Sequence, residues 1–204
     1  MAAAAVGALV LLVAAWPAVG AFLTIAHEAG HVAAAVLTGR RVLFFEVTDG
    51  NAGRTLSEDR GWGPARILIS VVGYVTPPLL GLGGAALFAA GEILPLLWTA
   101  VFLLVLTLAK AEREWTMFVV LLMAGATGYV ALYGSPVLRA GFAAGLVWVL
   151  LFAGVYDAAG STSTESSDAG QLFRNTLIPS LLWKGSFIVV ALYCLVKGAQ
   201  LMVP

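Results

Sequence analysis

Charge is what this sequence has least of. Only 11% of its 204 residues are Asp, Glu, Lys or Arg, against 61% hydrophobic residues and a mean hydropathy of +0.97. Soluble domains carry about a quarter charged residues, and a chain this apolar has too little polar surface to cover itself in water. Disordered, collagen-like and disulfide-built classes are excluded by the same composition. The formal net charge of zero removes the electrostatic case for nucleic acid as a partner. Cys194 is the single cysteine and sits in an apolar run, so there is no disulfide framework to read. Histidine is nearly absent as well, with two in the whole chain. What is abundant is long uncharged sequence, whose solvent is lipid.

The uncharged runs set the expected spans. Residues 1–27 carry no charge before Glu28, and the apolar pattern runs on to Leu37. No positive region precedes it, so a cleaved signal peptide is not expected. The segment is longer than the roughly 30 Å hydrocarbon core requires: one long or kinked helix is favoured over two divided near Pro17 and Gly20. Further spans are read at Ile67–Gly91, Ile93–Ala109, Trp115–Leu138, Ala140–Tyr156 and Leu177–Val203. The second contains Thr76-Pro77-Pro78, which removes backbone donors and is expected to kink or open the helix. Residues 40–66 form a polar stretch in which Val42, Phe44, Val47 and Thr48 favour strand and Asp49-Gly50-Asn51 supplies a turn. Residues 157–176 form a second polar loop. The expected fold is an all-α integral membrane protein of about six transmembrane helices, one domain over 1–204, with a short β-hairpin after the first span. Arg40, Arg41, Arg54, Arg60, Arg66, Lys110, Arg113 and Arg174 fall on one side under this count and Arg139 on the other. The positive-inside rule then puts both polar loops in the cytoplasm of a multi-pass cell-membrane protein.

Both histidines lie in Ile25-Ala26-His27-Glu28-Ala29-Gly30-His31. Positions i and i+4 stack on one helix face, so His27 and His31 reach a single metal ion. Glu28 beside them is placed to take a proton from a water the ion has acidified. Chance or helix packing is the bland alternative. It is disfavoured by cost, because a charge at the centre of a span costs roughly 2.5–3.5 kcal/mol on insertion scales and is functional by default. Gly30 lets another element approach closely.

This HEAGH motif in an early span, followed by a polar hairpin and several spans, resembles the site-two protease family of intramembrane zinc metalloproteases, and within it the compact bacterial branch. Gly39-Arg40-Arg41, Val72-Gly73-Tyr74-Val75-Thr76-Pro77, and Ser167-Asp168-Ala169 followed by Leu172, Thr176, Pro179 and Trp183 match that branch in order and spacing. Three features depart from it: the second proline Pro78, Glu114-Trp115 where a polar residue is expected at the start of the fourth span, and the missing Asn-Pro-Asp-Gly type of ligand motif. The resemblance implies zinc as cofactor, peptide bonds in or near transmembrane segments of membrane proteins as substrate, and the bacterial plasma membrane as location. A catalytic zinc site needs a third protein ligand. Asp168 is the choice, because it matches the family's Ser-Asp-Ala and because Ser167 can cap a helix that carries it. Asp157 is the runner-up, and Asp49 reads as turn chemistry. Tyr74 and Thr76 are candidates for a water path or for presenting backbone to substrate, Asn175 and Thr176 for supporting the oxyanion or Asp168, and the hairpin edge for holding an extended peptide. The alternative function is a catalytically inactive metal-binding membrane scaffold or regulator of the same family. A metal transporter fits less well, since the polar residues gather at one helix and one loop. The substrate and any regulatory membrane partner are not encoded in these motifs.

Overall fold

The computed structural model describes residues 5–8, 16–47, 53–58, 63–109, 111–161, 164 and 167–203. In chain order the named elements are α1 (Trp16–Leu37), β1 (Val42–Val47), β2 (Gly53–Ser57), α2 (Pro64–Ala89), α3 (Ile93–Leu108), α4 (Glu114–Tyr133), α5 (Pro136–Gly160), α6 (Asp168–Thr176) and α7 (Ser180–Met202). Among the described residues, five helices are long and apolar enough to cross a bilayer: Val19–Leu37 within α1, and α2, α4, α5 and α7. The apolar α3 has 16 residues, about 24 Å at 1.5 Å per residue, and is the sixth apolar helix of this all-α membrane fold. The choice between one span and two in residues 1–38 turns on residues 9–15, and the hairpin turn at Asp49 on residues 48–52. Both lie outside the described residues.

Helix α2 is the centre of the molecule, packed against α1, α5 and α7, with α6 beside it. It runs through Pro77 and Pro78 as one helix of 26 residues, where a break was expected. The two prolines leave the carbonyls of Gly73 and Tyr74 without their helical donors. Pro78 packs where Gly154 of α5 has no side chain: a Cβ there would lie 2.9 Å from the proline ring. The boundary between α4 and α5 also falls earlier than expected. Pro136 opens α5 in the first turn, where its missing N–H costs nothing, and Ser135 Oγ caps it by accepting from the Leu138 N–H at 3.2 Å. Arg139 therefore sits in the first turn of α5 rather than between helices, donating to the Leu132 carbonyl at 3.0 Å. The stretch 157–176, read as loop, is largely helical: α5 continues through Asp157 to Gly160, and α6 begins at Asp168.

A two-stranded hairpin is marginal alone, and this one leans on the helices. Phe45 and Val47 are each 1% exposed, packed with Ala21, Ile25, Leu104, Val119 and Val120. The outer edge of β1 is tied down: the Glu112 N–H donates to Phe45 O at 3.3 Å, and Thr116 Oγ1 accepts from the Val47 N–H at 2.9 Å. Antiparallel pairing sets Phe45 opposite Thr55 and Val47 opposite Gly53. Among the described residues no strand pairs with the outer edge of β2.

Candidate metal centre

Helix α1 carries His27, Glu28 and His31, and its pitch stacks the two imidazoles with ring centroids 4.9 Å apart. Each ring is held from behind by its Nδ1. His31 Nδ1 lies 2.7 Å from the carbonyl of Ile69 in α2, and a carbonyl only accepts, so Nδ1 carries the proton. His27 Nδ1 lies 3.1 Å from Asp157 Oδ2, which again calls for a proton on Nδ1. In both neutral imidazoles the free lone pair is therefore on Nε2. Those two atoms meet a single carboxylate oxygen: Asp168 Oδ2 is 3.1 Å from His27 Nε2 and 3.3 Å from His31 Nε2. Three acceptors converging in this way can hold a cation among them. Tetrahedral zinc with bonds of about 2.0–2.1 Å sets its ligand atoms about 3.3 Å apart, so the donor set fits the ion in chemistry and in spacing.

The close approach of α1 and α2 is built from reciprocal small residues. Gly73 of α2 faces both imidazoles, and a Cβ there would sit 2.5 Å from His27 Nε2 and 2.6 Å from His31 Nε2. Gly30 of α1 faces Thr76 of α2 and has no room for a Cβ beside its hydroxyl. The expectation for Gly30 holds, and Gly73 adds the matching half. Toward β2, Glu28 is 6% exposed, and Thr55 Oγ1 donates to its Oε2 at 2.6 Å. His27, Glu28 and His31 each offer a ligand atom within 4.8 Å of the others.

Asp168 arrives from a separate element. Ser167 Oγ caps α6 by accepting from the Gly170 N–H at 3.2 Å, and Ala169 and Leu172 bury against Ile67, Val71 and Phe187. The Trp183 indole N–H of α7 donates to Thr176 Oγ1 at 3.2 Å, so Thr176 fastens α6 to α7 instead of reaching Asp168.

The peptidase M50B-like family model matches residues 1–198. The chain belongs to the peptidase M50B-like family. No curated protein and no solved structure matches it. A cavity of about 750 Å³ opens beside the His-Glu-x-x-His cluster. One wall of that cavity is β2, and the other includes Tyr74, Asp157 and Asp168. Tyr74 sits edge-on to His27 at 4.6 Å between centroids and stacks on Phe187 at 4.9 Å. His27, Glu28, His31 and Asp168, read in the sequence as ligands and base, lie together with Asp157, the runner-up ligand. Thr55 was not singled out. Its signal was the period-two alternation of β2, which puts it on the same face as Gly53, toward α1.

Proposed function

We propose that this M50B-like chain is a zinc-dependent intramembrane endopeptidase, one domain in the bacterial plasma membrane, hydrolysing peptide bonds in or beside transmembrane segments of other membrane proteins. The observation that carries the reading is the meeting of His27 Nε2 and His31 Nε2 on one oxygen of Asp168, with the Glu28 carboxylate beside them. In this reading His27, His31 and Asp168 hold the ion. Zinc bound there supplies Lewis acidity toward the scissile carbonyl and lowers the pKa of its water to about 7.

The chain's own groups do the rest. Glu28 accepts the proton of the attacking water and returns it to the departing amine. Asp157 holds His27 through Nδ1 and the Ile69 carbonyl holds His31, so Nε2 of each faces the site. Asp157 thus takes a role distinct from the ligand role open to it in the sequence. Strand β2 borders the same cavity, and its outer edge suits an extended, locally unwound stretch of substrate by main-chain pairing.

The test measures zinc per chain in detergent-purified parent, His27→Ala, Asp168→Ala and Glu28→Gln, with cleavage of a panel of single-span reporter peptides in liposomes. The parent should hold about one zinc, both ligand variants should lose it, and Glu28→Gln should keep it. Cleavage should fall about 10²- to 10⁴-fold in Glu28→Gln. Zinc in the parent with no cleavage of any reporter would favour the inactive scaffold, and zinc retained in Asp168→Ala would move the third ligand elsewhere.

A further inference from the structure

Glu28 receives a hydrogen bond from outside its own helix. Thr55 lies 27 positions along the chain, yet its hydroxyl donates to Glu28 Oε2 at 2.6 Å. The strand pairing explains how it gets there. Phe45 and Val47 of β1 point into the apolar cluster against α1, and their partners Thr55 and Gly53 share that face. Gly53 leaves the space the carboxylate needs, since a Cβ at that position would collide with Glu28 Oε1 and with Thr24. Residues on the opposite face pair with each other instead, Arg54 lying 5.4 Å over the Phe44 ring.

The strand that delivers this hydroxyl is itself fixed. β1 is anchored on its far edge by Thr116 and Glu112, and β2 is paired to β1. A general base works only within about 2.6–3.2 Å of the proton it takes, and a glutamate on a helix has several rotamers that miss. A hydroxyl on a rigid strand that engages one carboxylate oxygen removes that freedom before substrate arrives.

We propose that Thr55 is a positioning residue that fixes the Glu28 carboxylate for proton transfer. The inference rests on the reading of Glu28 as the general base. The hairpin thereby becomes part of the catalytic apparatus as well as a wall of the cavity, and a one-residue slip in its register would turn Thr55 away from α1.

The experiment compares parent, Thr55→Val, Thr55→Ser and Glu28→Gln as intact chains in liposomes with the single-span reporters, reading kcat, KM and zinc per chain. Valine keeps the β-branched shape and removes the donor. The loss of a hydrogen bond to a charged group should lower kcat about 10- to 100-fold, with KM within about twofold and zinc undiminished. Serine restores the donor and should bring kcat back to within about threefold of the parent. Parental kcat in Thr55→Val overturns the inference. So does loss of zinc together with kcat, which would make Thr55 a support of the hairpin alone, and so does a serine variant no better than valine. Glu28→Gln separates the two layers: cleavage at the parental rate there defeats the general-base reading itself, whereas a dead Glu28→Gln beside a fully active Thr55→Val defeats only the role of Thr55.

Discussion

The seam between α1 and α2 and the seam between α3 and α4 are both helix contacts in lipid, and they are made in opposite ways. At α1–α2 particular atoms meet: Gly30 against the Thr76 hydroxyl, Gly73 against two imidazoles, His31 on the Ile69 carbonyl. At α3–α4 the contact is aliphatic, with Leu104, Val119, Val120 and Ala124 buried and Phe102, Leu106, Phe118, Leu121 and Leu122 turned outward. Two hydroxyls there bond within their own helices, Thr107 to the Leu104 carbonyl and Thr127 to that of Met123, while Thr116 of α4 turns to Val47 of β1. Lipid tails are as apolar as leucine, so an aliphatic seam has little to choose between packing partners. A seam that holds charge away from water has to satisfy every group and tolerates no added atom.

The sharpest break of that contrast is Gly73→Ala. One methyl at that position cannot coexist with both imidazoles where they stand, so either the helices part or the rings turn. Overpacking of this kind costs roughly 1–3 kcal/mol, and a displacement of about 1 Å at a reacting centre costs about 10²-fold in rate. Zinc per chain should fall well below the parental value, the thermal midpoint in detergent should drop, and reporter cleavage should fall about 10²-fold or more. Full zinc content with full activity would show that the seam is as forgiving as α3–α4.

Asp157→Ala sharpens the comparison within the first seam. The carboxylate touches His27 only at Nδ1, so its removal should loosen the ring and leave the ligand set intact. Partners of this kind are typically worth about 10- to 100-fold in metal affinity. Chelator competition should show a weakening of that size for Asp157→Ala, and a loss too large to titrate for Asp168→Ala. Equal losses would mean that the two aspartates share one role.

The site was more legible in the sequence than the way it is held. Two histidines four apart with a glutamate between them, inside an apolar run, have few readings, because charge in lipid must earn its place through function. Ser167 ahead of Asp168 announced a capped helix, and the hairpin was read from its alternation and turn residues. What escaped depends on three-dimensional detail that spacing does not carry. The division of labour proposed for Asp157 and Asp168 rests on which imidazole nitrogen each one faces. The double proline promised a break, but Gly154 gives Pro78 room and α2 runs on. Thr55 reads as an ordinary strand threonine until the register places it on Glu28. At the end of α4, apolar residues continue past the true boundary, which Gly134-Ser135-Pro136 marks.

Gly125→Ala is the smallest expected effect and the necessary counterpart of Gly73→Ala. Gly125 lies within α4, and a Cβ there meets nothing within 4 Å. The substitution is chemically the same, so any contribution from chain flexibility or helix propensity is common to both. Alanine in a helix interior is favoured over glycine by roughly 0.5–1 kcal/mol, which should appear as a small rise in the thermal midpoint in detergent. Zinc per chain and reporter cleavage should match the parent. The difference between the two variants then measures the steric demand of the α1–α2 seam, with propensity subtracted. Were Gly125→Ala to lose zinc as well, the α3–α4 hairpin would be coupled to the metal centre, through the apolar cluster that α4 shares with β1, and the two seams would have to be treated as one.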